Sequence, residues 1–387
     1  WEATYFDFDT DKLLDIAREA KKDGIEMLVM DDGWFGKRNN DRAGLGDWYV
    51  NKEKFPNGID ELIDNVNKLG MDFGIWVEPE MVNPDSDLYR THPDWAYHFE
   101  HRNADELRHQ LVLNMTRGDV QNYIFECLDN LLENHNIKYI KWDMNRPFSQ
   151  VGAENLENAK MYSYLHTMAV YKIVDELKKR HPQVQFESCA SGGGRCAISH
   201  YDQVWTSDNT DAIDRMTIQK GYSLLHPVKT MRAWVTDICG INKPCSLDFR
   251  FNIAMQGSLG IGGNLIKYSA EDLEICKKNI DFYKSVRNIV QFGDLYRILD
   301  IEDGEVLCNE YVSTDKNESV VFIAANATRF FKKKFNLHFA GLDENKTYSF
   351  SLSGDEYVKG GAYLMNVGVP IYVRGADYNR AIIIKAI

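Results

Sequence analysis

The sequence predicts a (β/α)8 TIM barrel followed by a small C-terminal antiparallel β-sandwich, and three observations carry that prediction. Short apolar, β-prone runs alternate with longer amphipathic stretches over about the first 290 residues, the rhythm of βα units on a parallel sheet. Eight such runs with seven helical stretches match the count and length of one barrel. Beyond about residue 292 the helical stretches give out, and strand-like runs follow one another across Asp, Asn and Gly turns. The competing doubly wound fold needs a Gly-rich phosphate turn after its first strand, and Phe8-Asp9-Thr10 offers none.

The barrel strands are expected at 4–8, 27–32, 73–79, 139–143, 185–190, 204–208, 232–237 and 259–265. The helices between them are expected at 11–22, 59–69, 120–133, 159–180, 211–225, 249–256 and 270–290, with Gly70 and Pro182 as stop signals. Sandwich strands are expected at 305–312, 319–325, 347–352, 362–367 and 381–385, with no room for helices between them. The domain boundary then falls between residues 291 and 292, giving a catalytic barrel over 1–291 and a sandwich over 292–387.

Composition narrows the function classes. Lysine plus arginine total 45 against 58 acidic residues, a net charge of −13, so most of this surface repels a polyanion such as nucleic acid. No apolar run reaches the ~20 residues of a membrane span, and the opening Trp1-Glu2-Ala3-Thr4 reads as a strand start rather than a secretory leader. Seven cysteines scattered without C-x-x-C spacing argue against a disulfide scaffold and for a reducing compartment, the cytoplasm. The ten histidines show no H-E-x-x-H spacing, and Gly192-Gly193-Gly194-Arg195 lacks the Lys-Ser or Lys-Thr of a phosphate cradle. Neither a metal nor a cofactor is expected.

Active sites of barrels form at the C-terminal ends of the strands, and here those ends are unusually polar. They read Asp31-Asp32-Gly33-Trp34, Trp76-Val77-Glu78-Pro79-Glu80, Lys141-Trp142-Asp143-Met144-Asn145, Glu187-Ser188-Cys189, Trp205-Thr206-Ser207-Asp208 and Thr236-Asp237. Any one such carboxylate can be the N-cap of the next helix; six together are poorly explained that way. Carboxylates position sugar hydroxyls, tryptophan stacks on sugar rings, and a pair of carboxylates is the machinery of glycoside hydrolysis. Lys141 and Asp143 project to the same side of their strand, so the ammonium favours an ionised Asp143, as a nucleophile requires. A plain structural ion pair is the alternative. Asp208 and Asp211 flank Asn209-Thr210, and either one can be the acid while the other caps the following helix.

Taken together, these motifs resemble the α-galactosidases of glycoside hydrolase family 36. The matching segments run from Asp31-Asp32-Gly33-Trp34 through Gly74–Met81, Lys141–Arg146 and Glu187–Arg195 to Trp205–Asp211, in the family's order, with 255–265 fitting the last barrel strand. The resemblance implies a retaining enzyme that removes terminal α-linked galactose from raffinose- or melibiose-type oligosaccharides. Asp143 would be the nucleophile and Asp208 the acid/base, with their carboxyls ~5–5.5 Å apart. Asp31 and Asp32 would hold the O4 and O6 hydroxyls, and Lys141, Arg108 and Asn145 would add polar contacts. Trp34, Trp76 and Trp205 would shape the pocket, while Cys189 and Gly192 would line the space around the 2-position. Family members usually carry a large N-terminal β-domain that supports oligomerisation, and this chain opens at the first barrel strand. An α-N-acetylgalactosaminidase or an α-galactosyl transglycosylase would use the same carboxylates. Outside that chemistry, the alternative is an inactive galactoside-binding protein.

Overall fold

The structure is a computed structural model that describes residues 1–153, 155–191, 195, 199–237, 245–300, 306–325, 333–375 and 377–387. The chain forms two compact units, residues 1–205 with 264–267 and residues 206–263 with 268–387. Parallel strands alternating with helices give way along the chain to antiparallel strands, and the fold is a (β/α)8 barrel followed by a β-sandwich.

In the first unit, helix α1 (Thr10–Lys22) begins where the Asp9 carboxylate accepts the Lys12 N–H, an N-cap, and it buries the stripe Leu13, Leu14, Ile16, Ala17 and Ala20. Strand β1 (Met27–Met30), helix α2 (Asp60–Lys68) and strand β2 (Asp72–Val77) follow. After β2 come a two-residue ladder of β3 (Met81–Val82) with β4 (Leu111–Val112), and a short helix α3 (Asp87–Thr91). Helix α4 (Gly118–Asn134), β5 (Tyr139–Trp142), α5 (Tyr162–Arg180), β6 (Gln185–Ser188) and β7 (Gln203–Trp205) complete the βα rhythm.

The five strands β1, β2, β5, β6 and β7 pair in parallel in that order. Residues 73–77 of β2 and all of β5 are buried, as strands covered on both faces should be. Register is what positions the site. Val77 lies opposite Trp142 and Trp142 opposite Ser188. The ladder carries on past the strands, with Asp143 N donating to Val77 O at 2.7 Å and Cys189 N to Trp142 O at 2.8 Å. Asp143 and Cys189 are thereby brought side by side at the carboxyl edge.

One expected strand is absent. Residues 4–6 form a turn and 7–8 no regular structure, with Tyr5 at φ +50°. The carbonyls a strand partner would have taken are used by side chains instead: Lys54 Nζ donates to Phe6 O and Asn264 Nδ2 to Ala3 O, both at 2.9 Å. The remaining strands end one to four residues earlier than their polar tails suggested, because those tails are loops.

The second unit continues with α6 (Ala212–Leu225), β8 (Met231–Val235), α7 (Leu247–Ala254), β9 (Ser258–Ile261) and α8 (Ala270–Phe292); β8 and β9 are parallel neighbours. The sandwich comprises β10 (Asp294–Leu299), β11 (Val306–Val312), β12 (Glu318–Ala325), β13 (Lys333–Leu337), β14 (Thr347–Leu352), β15 (Asp355–Gly360), β16 (Val369–Val373) and β17 (Tyr378–Ala386). Six of these make one antiparallel sheet in the order β10-β11-β12-β17-β14-β15, and β13 pairs with β16. The two share a core of Val321, Ile323, Phe350 and Ile384 with Leu337 and Ile371. On the other side of the larger sheet, Phe249 and Ile253 of α7 pack with Leu307 and Ala324. The strand expected at 362–367 is instead helix α9 (Gly361–Asn366), whose Ala, Leu and Met are good helix formers. Among the described residues no helix is long and apolar enough to cross a membrane.

Glu310, in the middle of β11, has no exposed surface. Its Oε1 accepts from Ser319 Oγ at 2.7 Å and its Oε2 from Ala340 N at 2.6 Å. Burial pushes its carboxyl up to about 7, against these two bonds. A raised folded-state value favours the neutral form, so this contribution to stability is full below the unfolded-state value of ~4.3 and is lost as pH rises through about 7. Glu310→Gln keeps an acceptor and removes the titration. Its unfolding free energy relative to the wild type, measured in urea, is expected to rise by roughly 2 kcal/mol between pH 5 and pH 8.

Candidate active site

The loop after β1 presents two adjacent carboxylates with separate partners. Asp31 Oδ2 accepts from Lys141 Nζ at 2.8 Å, with both side chains nearly buried. Burial pushes Asp31 up, but the Lys141 ammonium outweighs it and holds the carboxyl below the usual range. Burial by itself would discharge Lys141, yet Asp31, assisted by Glu187 and Asp143, keeps it firmly protonated. Asp32 is gripped by Arg38 through Nε to Oδ1 at 2.9 Å and Nη2 to Oδ2 at 2.8 Å. Burial, with the Asp31 and Asp143 charges beside it, still leaves Asp32 above its usual value despite that guanidinium. Gly33 turns the loop at φ +112°, where a Cβ would press on the rings of Phe6 and Phe8 at 3.0 and 3.2 Å.

Asp143 is oriented by neutral donors. Trp76 Nε1 and Asn145 Nδ2 donate to its Oδ2 at 3.0 and 2.9 Å, and Met144 N donates to Oδ1 at 2.8 Å. The ammonium's ion pair is with Asp31, and the Asp143 charge acts on it from farther away. The Lys141 ammonium also lies 5.7 Å from the centroid of the buried Trp205 ring. Trp34 has no exposed surface and donates its indole N–H to Trp76 O at 2.8 Å. This bond ties it to the backbone of Trp76. Cys189 is buried against Asp143, and burial followed by the Asp143 charge raises its thiol well above the ordinary value, so it stays protonated.

Arg108 lies on the exposed rim, where Nη1 donates to Ser191 Oγ at 3.2 Å and to Asn145 O at 3.4 Å. Ser191 Oγ in turn donates to Asn145 Oδ1 at 2.9 Å. Arg108, His109 and Ser191 all adopt left-handed backbone at φ +53°, +59° and +48°, strain of the kind that collects at functional sites. Gly192 lies outside the described residues.

Several residues that matter here carry no role in the sequence reading. Glu78 and Glu80 are both fully buried. Glu80 receives Arg195 Nη1 at 2.7 Å, Trp142 Nε1 at 2.8 Å and His166 Nε2 at 2.9 Å. Arg38 sits in a surface-looking Gly-Lys-Arg stretch, and nothing in its sequence context marks it.

In the second unit the choice between Asp208 and Asp211 becomes physical. Asp211 is buried and caps α6, its Oδ1 accepting from Ile213 N at 2.9 Å and Asp214 N at 3.0 Å. Asp208 is exposed. Buried Arg215 fastens the loop around it, donating to Ser207 O at 2.6 Å and Asn209 O at 2.7 Å.

Comparison with known proteins places this geometry in context. Residues 1–293 match the melibiase family model, and residues 307–384 match the glycosyl hydrolase family 36 C-terminal domain. The chain is 42% identical over 390 residues to alpha-galactosidase AgaA of Geobacillus stearothermophilus, covering 98% of this chain and 52% of that protein. It is 40% identical to alpha-galactosidase Mel36A of Lactobacillus acidophilus, with the same shares covered. The crystal structure of AgaA superposes with a TM-score of 0.96 over 100% of this chain and 55% of that one, at 41% identity. Variants of AgaA have been solved with stachyose and with raffinose. The chain thus spans about half the length of the curated relatives it matches.

The buried Asp32–Arg38 pair yields a direct test. Arg38→Gln removes the cation and strands a buried carboxylate, an arrangement that costs about 3–5 kcal/mol. Denaturant unfolding at pH 7 is expected to show a loss of that size, and Asp32→Asn in the same background is expected to recover most of it.

Proposed function

The chain belongs to glycoside hydrolase family 36, and from that premise we propose that it is a retaining α-galactosidase acting on terminal α-galactosides of the raffinose and stachyose type. The observation that carries this is the Asp143 constellation: a buried carboxylate oriented by Trp76, Asn145 and Met144, with Asp31 and Asp32 held ready in the neighbouring loop. Asp143 attacks the anomeric carbon, the bond to the leaving oxygen breaks, and a galactosyl-enzyme forms. Asp208 gives its proton to the leaving oxygen and then takes one from the water that releases galactose. Its assignment is supported by the commitment of Asp211 to the α6 cap. Asp31, Asp32, Lys141, Arg108 and Asn145 are assigned to the galactose hydroxyls, and Trp76 and Trp205 to the pocket walls. Cys189 beside Asp143 leaves space for a plain 2-hydroxyl and none for an acetamide. A cytoplasmic location belongs to the same proposal, supported by the free thiols of Cys127, Cys189, Cys245 and Cys308.

Asp143→Asn is expected to lower kcat on 4-nitrophenyl α-galactoside by about a thousandfold or more while leaving the thermal unfolding transition in place. Asp208→Ala is expected to cut hydrolysis of raffinose far more than that of the nitrophenyl substrate, because a good leaving group needs little protonation. Should Asp211→Ala show that split in its place, the acid is Asp211. Faster cleavage of 4-nitrophenyl α-N-acetylgalactosaminide than of the α-galactoside would overturn the sugar assignment.

A further inference from the structure

Glu78 and Glu80 stand two residues apart just beyond β2, both fully buried, and their surroundings treat them oppositely. Burial pushes Glu80 up, but the Arg195 guanidinium and its hydrogen bonds from His166 and Trp142 outweigh it and hold the carboxyl at about 2. Glu78 has no ion-pair partner within 4.0 Å among the described residues. Its Oε1 accepts the Asn145 backbone N–H in a short bond, and its Oε2 faces Gln110 Nε2 at 3.0 Å. Asn145 is the residue whose side-chain amide donates to Asp143 Oδ2 at 2.9 Å.

We propose that Glu78 is a positioning residue for the nucleophile: by holding the Asn145 backbone N–H it fixes the amide that orients the Asp143 carboxylate. This rests on the reading of Asp143 as nucleophile. Glu78 does this work as the neutral acid. The charged groups facing it are Asp143 from the loop after β5, and Asp32 with Arg38 from the loop after β1. Arg38 is already committed to Asp32. Burial first, then the Asp143 and Asp32 charges, push the Glu78 carboxyl up to about 8, against the Asn145 N–H and the more distant guanidinium. Like carboxylates crowded into one site cannot all ionise cheaply. The proton has a place to go. Gln110 Oε1 is buried with no hydrogen-bond partner, and an amide turned over would offer that oxygen to a Glu78 O–H at Oε2. Below about pH 8 the loop is therefore held by an uncharged acid; above it, a second negative charge forms beside Asp143.

The test uses 2,4-dinitrophenyl α-galactoside, whose leaving group departs with little protonation, so that the acid/base does not shape kcat/KM. The wild type is expected to lose kcat/KM above a pKa near 8. Glu78→Ala, which releases the Asn145 N–H, is expected to lower kcat at pH 6 at least a hundredfold with KM within threefold. Glu78→Gln retains an acceptor for that N–H and cannot ionise. It is expected to recover kcat to within tenfold of the wild type and to move the alkaline limb upward by at least one pH unit. A wild-type profile without the limb, a limb that Glu78→Gln leaves in place, or a folded Glu78→Gln as poor as Glu78→Ala would each overturn the proposal. Circular dichroism and cooperative melting establish folding of both variants. An active wild type with an unmoved limb counts against the positioning role alone, whereas a wild type inert toward the substrate overturns the galactosidase reading and this proposal with it.

Discussion

Buried carboxylates govern this structure. Parallel register brings Asp143 and Cys189 side by side, and the adjoining strand ends add Asp31, Asp32, Glu78 and Glu80 to the same crowded region of the first unit. An ionised carboxylate without compensation costs several kcal/mol inside a protein, so each finds a cation, keeps a proton or, like Asp143, collects hydrogen-bond donors. Lys141 compensates Asp31 from the middle of the sheet, Arg38 compensates Asp32 from the same loop, and Arg195 with His166 compensates Glu80. Loop conformation after β1 is tied to such a pairing, because Arg38 also donates to Asn83 Oδ1 and Ala43 O while it grips Asp32.

Hydrophobic rhythm made most of this fold legible. All seven helices between the barrel strands occur where amphipathic periodicity placed them, since a stripe of apolar residues at helical spacing has one stable use on a sheet. The segment at 4–8 misled because Tyr5 and Phe6 look like strand residues, whereas their rings pack edge-on against Trp1 and their carbonyls are satisfied by side chains. Helix α9 misled for a similar reason: six residues are too few to reveal a period, and Tyr363 with Leu364 and Met365 suits either element. Strands β10, β13 and β15 went unread because short antiparallel strands with polar faces carry little apolar signal, whereas β16 alternates Val369, Ile371 and Val373 and is obscured by Pro370.

The candidate site was legible in its acids and illegible in their partners. Asp31, Asp32, Asp143 and Asp208 stand out because a barrel gathers its site at the C-terminal ends of its strands, where these acids recur beside tryptophans. Asp208 and Asp211 look alike in the sequence, and only local hydrogen bonding shows Asp211 spent on a helix terminus, which requires knowing where α6 begins. Arg38 could not be found by pattern, since a surface loop and a buried clamp have the same composition. Trp34 is legible only in part. Its motif points to a wall of the pocket, while the bond of its buried indole N–H to Trp76 O, a bracing contact, has no mark in the sequence.

The placement of Lys141 has a consequence for the chemistry. With Asp143 as the proposed nucleophile, a lysine paired directly with it would stabilise its ground-state carboxylate, and that stabilisation would be lost as the carboxylate's charge passes into the new bond to carbon. Only interactions stronger in the transition state than before it accelerate a reaction. With the ammonium taken up by Asp31, Asp143 is instead oriented by the Trp76 indole, the Asn145 amide and the Met144 N–H. Neutral donors fix direction without binding the charge as an ion pair does. The same logic applies to Glu78, which sits close enough to Asp143 to feel its charge. A cation there would compete for Asp143, a second anion would repel it, and a neutral acid does neither while still holding the Asn145 N–H.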